Sequence, residues 1–170
     1  RPVGETVPVR SADRDRRTAP AQLPPLPRAF FGRERELAEL EQTALDTDGG
    51  LVLLTGMAGI GKTGLAVRFA HQIADRFGDG QLHLDLRGYS PDPALDPLTA
   101  LGHLLRGLGA DPHRVWNDVA EATAEYRSLL YGRKVLVLLD NAASAEQVRP
   151  LLPATPGSLA LVTSRHRMSG

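Results

Sequence analysis

The sequence predicts an α/β fold: a mostly parallel sheet with helices on both faces, in three layers. Three observations carry that expectation. Short apolar runs alternate along the chain with segments of helical spacing, the order of strands and crossover helices in a parallel sheet. The clearest strand, Lys134–Asp140, has five consecutive apolar residues, as a strand covered on both faces requires. And a Gly-rich turn, Gly56–Thr63, stands between an apolar run and a strongly amphipathic segment.

The elements follow in order. Arg33–Leu45 sets Leu37, Leu40 and Ala44 at helical spacing. Leu51–Thr55, after Asp48-Gly49-Gly50, reads as a buried strand. Lys62–Phe77 places Leu65, Ala66, Phe69, Ala70, Ile73 and Phe77 on one helical face, and Gly78 and Gly80 stop it. Gln81–Leu86 is a second strand, and Gly88–Pro97 is a loop rich in Pro and Asp. Leu98–Leu108 carries a leucine stripe closed by Gly109. Asp118–Tyr131 is a helix ending at Gly132. After the Lys134–Asp140 strand, Ser144-Ala-Glu-Gln147 is a capping box opening a short helix, stopped by Pro150 and Pro153. Ser158–Thr163 is the last strand.

Composition narrows the function classes. Twenty Lys+Arg balance twenty Asp+Glu, so overall charge argues for neither nucleic acid nor membrane. The balance is a sum of two parts. Residues 1–28 hold six Arg against three acids and six of the thirteen prolines, with few large apolar residues. They read as a disordered linker, and 29–170 as the domain. Without cysteine there is no disulfide framework and no thiolate chemistry. The longest apolar runs fall far short of the roughly twenty residues of a membrane span, and no charged-then-apolar signal opens the chain, so a cytoplasmic site is expected.

Gly56-Met57-Ala58-Gly59-Ile60-Gly61-Lys62-Thr63 fits G-x-x-x-x-G-K-[ST], the phosphate loop. Its small residues let backbone N–H groups wrap a diphosphate, and the following helix adds its N-terminal dipole. Lys62 offers a point charge to the β- and γ-phosphates, and Thr63 a hydroxyl ligand to Mg²⁺. Only Lys62 and Lys134 are lysines, so a chance match is rare. Such a loop needs an acid at the end of another strand. Asp140 supplies it, just outside the carboxyl end of its strand, where ligands gather in open sheets. Next comes Asn141, where hydrolases often carry a second acid; an amide can position water but takes no proton at neutral pH. Binding is therefore expected, with slow or partner-dependent hydrolysis. Arg165, after the last strand, can reach a γ-phosphate if that strand lies beside the loop's strand. Phe30-Phe31-Gly32-Arg33 either closes over a base or serves as core and helix entry. Asp85 and Arg87 read as a strand-end salt bridge.

With these pieces in order, the chain resembles the NB-ARC branch of the signal-transducing P-loop ATPases with numerous domains. Phe31-Gly-Arg-Glu34, Gly56–Thr63, Leu136–Asp140 and Thr163-Ser-Arg165 carry the likeness. Within that branch it is similar to the nucleotide-binding part of actinomycete antibiotic regulatory proteins, through Asp85-Leu-Arg-Gly-Tyr89, Leu138–Ala142 and Thr163–Arg167 as well as the loop. The resemblance implies a P-loop NTPase fold whose last strand lies between the strands of Gly56 and Asp140. It implies ATP or ADP with Mg²⁺ held by Thr63 and Asp140, and nucleotide contacts from Arg33 and Gly56 through Gly64. Lys62, Asp140, Asn141 and the sensor Arg165 are the candidate catalytic residues. It further implies an ADP/ATP switch, nucleotide-dependent homo-oligomers of the full-length protein, and DNA contact only through other domains. The sequence stops before the fifth strand and the helical and winged-helix subdomains of that family.

Other chemistries find no support. The five histidines lack metal spacing, and no Gly-x-Ser-x-Gly or His-Glu-x-x-His occurs. The guanine-reading Asn/Thr-Lys-x-Asp is missing. A small-molecule kinase would need an Arg-rich lid, for which Arg165-His-Arg167 is the candidate; a vestigial interaction domain is the remaining alternative. Trp116 stands alone, without the basic and aromatic interleaving of a nucleic-acid platform.

Overall fold

The computed structural model describes residues 19–28, 32–47, 50–57, 59 and 61–168. Most of the expected linker, Ala29, Phe30 and Phe31, and Ala58 and Ile60 of the phosphate loop lie outside the described residues. The described elements are α1 (Glu34–Leu45), β1 (Leu51–Thr55), α2 (Lys62–Ile73), β2 (Gln81–Asp85), α3 (Pro97–Gly107), α4 (Val119–Leu130), β3 (Leu136–Ala142), α5 (Ala145–Val148) and β4 (Leu159–Ser164). The strands form one parallel sheet in the order β1-β4-β3-β2. The last strand therefore does lie between those leading to Gly56 and Asp140, as the resemblance implied.

Alternation along β3 makes the layers. Leu136 and Leu138 join Val52, Leu54, Leu159 and Leu161 under α2, against Leu65, Phe69 and Ile73. Val137 and Leu139 face the other way, with Leu82, Ala160 and Val162, toward α3 and α4. Full burial of each such side chain contributes about 1.5–3 kcal/mol. The α1 helix buries none of its residues and lays only Leu37, Leu40 and Ala44 against the α2 face.

Helix starts follow side-chain chemistry. Asp96 caps α3 by accepting from Thr99 N (2.9 Å) and Thr99 Oγ1 (2.7 Å), with Pro97 in the first turn. Those bonds hold its carboxyl below the ordinary range. Asp118 caps α4 through Glu121 N.

Four expectations change. The α2 helix ends at Ile73 and tightens into a 3-10 turn, Ala74–Arg76, short of Phe77. The β3 strand runs past Asp140 to Ala142, across a register shift after Leu139, so Asp140 sits inside a bulged strand end. Only half of the capping box forms. Ser144 Oγ accepts from Gln147 N, but the Gln147 side chain turns inward instead. It accepts from Ala143 N and donates to Leu86 O and Leu95 O, because those groups are buried and need partners. Finally, Pro20 to Pro24, within the stretch expected to be linker, lie on the domain. Gln22 N donates to Gln81 O and Gln81 N to Pro20 O, bridging Ala21 to the β2 edge, and His71 Nε2 pairs with Pro24 O. Backbone pairing along an edge strand needs no large apolar side chains, so composition did not reveal it.

Candidate phosphate-binding site

The loop after β1 is fastened at its start, where Gly56 N donates to Ser164 O at the end of β4. Gly59 and Gly61 have φ of 81° and 79°, a left-handed backbone that glycine adopts without a Cβ clash. Gly61 then caps α2, and no side chain caps the first turn. The leading N–H groups of α2, at Lys62, Thr63 and Gly64, are thus left for an acceptor from outside the helix. Lys62 arches back over its own loop, donating to Gly56 O (2.5 Å) and Met57 O (2.7 Å). An ammonium has three donors, so one remains beyond these two.

The facing wall comes from β3 and β4. Thr63 Oγ1 lies 3.0 and 3.1 Å from the two oxygens of Asp140. From the other side, Thr163 Oγ1 donates to Asp140 Oδ1 (2.5 Å) and accepts from Asn141 N (2.8 Å). Thr163 and Ser164 are nearly fully buried, and Ser164 Oγ donates to Ala142 O. Two hydroxyls therefore fix the Asp140 carboxylate. Asn141 has φ of 59°, a left-handed conformation that Asn tolerates better than most residues.

Gly59, Gly61, Lys62, Thr63, Asp140, Asn141, Thr163, Ser164 and Arg165 together line a cavity of about 340 Å³. That is within the usual range for small-molecule sites. The N–H groups of the loop and first turn suit an anion, and the oxygens of Thr63 and Asp140 suit a hard cation beside it. Mg²⁺ is usually held through one or two carboxylates with phosphate and water completing the shell. Among the described residues no cluster of three His, Cys, Asp or Glu occurs, so phosphate and water would have to supply the rest.

The other candidates are placed around this cavity. Arg33 lies beside the loop: a Cβ on Gly61 would stand 3.5 Å from its guanidinium. It lines an adjoining groove of about 370 Å³ between α1 and β1, which shares Lys62 with the first cavity. Met57 is exposed, and Gly64 lies in the first turn of α2. His83, on β2, is held below its ordinary pKa by burial, which outweighs the opposing pull of Asp140 and Asp85. The Asp85–Arg87 salt bridge does not form. Asp85 Oδ1 accepts the Arg87 backbone N–H (2.8 Å), shaping a turn in which Arg87 has φ of 56°. The sequence reading assigned no part to the Thr163 hydroxyl. Its signal was a polar pair, Thr163-Ser164, ending an otherwise apolar strand.

A P-loop nucleotide-binding ATPase domain is the class these features define. The chain belongs to the AAA ATPase domain family, whose model matches residues 29–167. Relatives agree with the expected likeness. Regulatory protein AfsR of Streptomyces griseus is 47% identical over 152 residues, and that of Streptomyces coelicolor 48% over 157. Each alignment covers 88% of this chain and 16% of the relative, so the chain spans about a sixth of their length. Disease resistance-like protein CSA1 of Arabidopsis thaliana is 32% identical over 126 residues, covering 72% of this chain and 10% of that protein. A chain from a structure of Drosophila ORC bound to DNA superposes with a TM-score of 0.50 at 19% identity. It covers 99% of this chain and 47% of that one, a likeness of fold.

Proposed function

We propose that residues 29–170 form an ATP/ADP-binding regulatory module of a transcription-regulating protein, with the N-terminal segment leading into it and its residues 20–24 laid against the β2 edge. In this reading the diphosphate lies against the loop and the first turn of α2. Lys62 meets its charge, Arg165 meets a terminal phosphate, and Thr63 and Asp140 would hold Mg²⁺, which would neutralise phosphate charge there. The adjoining groove beside Arg33 takes the nucleoside. DNA contact falls to other parts of the protein, in the cytoplasm. The observation that carries the reading is that the uncapped first turn of α2, Lys62 and the Thr63–Asp140 pair line one cavity.

Hydrolysis is slow on this account. Asn141 lines the cavity directly after Asp140, at the position where hydrolases often carry a second acid, and its amide takes no proton. A fluorescent ADP analogue titrated into the chain with Mg²⁺ should bind saturably, more weakly after chelation, and at least about 10-fold more weakly in Lys62→Ala. Absence of binding by the unmodified chain, or full binding by Lys62→Ala, overturns the proposal.

A further inference from the structure

Tyr89 has no part in the reading above, yet it stands against Arg165, the one arginine among the described residues that lines the phosphate cavity. The Arg165 guanidinium lies over the Tyr89 ring at 4.4 Å from its centroid. The His166 ring meets the same tyrosine edge-on at 5.7 Å. Tyr89 Oη is buried and has no hydrogen-bond partner, so the hydroxyl does not account for the ring's position.

The loop that carries Tyr89 is pinned on both sides. Leu86 N donates to Asp140 O (2.8 Å) and Gly88 N to Asn141 O (2.7 Å). The Gln147 amide holds Leu86 O and Leu95 O. Beside Arg165, Ser164 is fixed by Ala142 O, and His166 N donates back to Ser164 Oγ. Both partners of the stack thus grow from braced backbone at the lip of the cavity.

We infer that Tyr89 is a positioning residue for Arg165 and so sets how strongly the site prefers a terminal phosphate. A ring engages the face of a guanidinium, whereas phosphate engages the N–H groups along its edge. The two contacts are compatible. The stack holds the side chain over the cavity, so less freedom is lost when the phosphate arrives. This rests on the nucleotide reading above and deepens it.

The test compares a fluorescent non-hydrolysable ATP analogue with a fluorescent ADP analogue, both with Mg²⁺, on the full chain. Tyr89→Leu should weaken the ATP analogue by about 3–10-fold and ADP by less than about 2-fold. Tyr89→Phe, which keeps the ring, should preserve both affinities and melt no lower than the unmodified chain. In an Arg165→Ala background, Tyr89→Leu should add no further loss. Tyr89→Met fills similar space without a ring and replaces Leu if that variant does not fold. Equal weakening of both nucleotides, an unchanged ratio, or a full additional loss without Arg165 overturns the inference while leaving the nucleotide site standing. Binding of neither analogue by the unmodified chain overturns the site itself.

Discussion

Asp140 shows how much a single position depends on its neighbours. Its carboxylate is held by two threonine hydroxyls, Thr63 from the loop's helix and Thr163 from the central strand. Thr163 also accepts from Asn141 N, so one hydroxyl sets both the acid and the backbone of the residue after it. Thr163→Val keeps the shape and leaves the Asn141 N–H without its partner. A loss of about 1–3 kcal/mol is expected in denaturant unfolding, together with a smaller Mg²⁺ enhancement of nucleotide binding. An unchanged unfolding midpoint would contradict this account of Thr163. The loop residues, Lys62, Thr63 and Asp140 were legible from spacing, because each belongs to a pattern whose chemistry dictates residue type. Thr163 and Tyr89 were not, because their partners are far away in sequence and meet them only after the sheet forms.

At the scale of elements, the site depends on where strands end. The β3 strand bulges after Leu139, and the Arg87–Tyr89 turn presses onto that bulge. Gly88 is there because nothing larger fits: a Cβ would lie 2.6 Å from both Asn141 O and Ala143 N. Gly88→Ala must push the turn off the strand end. A destabilisation of about 1–3 kcal/mol is expected, with weakened nucleotide binding. Unchanged stability and affinity would contradict the close approach. Helices and strands themselves were readable from period and, at Ser144, from a cap, whereas the Asp96 and Asp118 caps show only in the structure. The bulge was hidden because Asp140-Asn141 ends an apolar run just as a simple strand end would. The inward turn of Gln147 was hidden for a related reason: its partners, Leu86 O and Leu95 O, are backbone atoms that no pattern marks.

At the scale of the molecule, parallel strands bring four separate sequence segments to one end of the sheet. Alternation of apolar residues predicts the layers, but the place of β4 between β1 and β3 was available only through family resemblance, and the place of β2 beside β3 shows only in the structure, since periodicity says nothing about which strand lies beside which. Net neutrality likewise concealed a basic N-terminal stretch whose last residues pair with the edge of β2. Removing residues 1–24 should lower the melting temperature by about 3–8 °C, given one or two kcal/mol lost from these contacts. No change would mean that the stretch only rests on the surface. The central claim is that an adenine nucleotide binds in the cavity between the loop and Asp140. Hydrogen exchange measured with and without ADP and Mg²⁺ tests it most directly. The account predicts slowed exchange centred on residues 56–65 and around Asp140 and Asn141. Binding without protection there, or protection confined to another face, would contradict it.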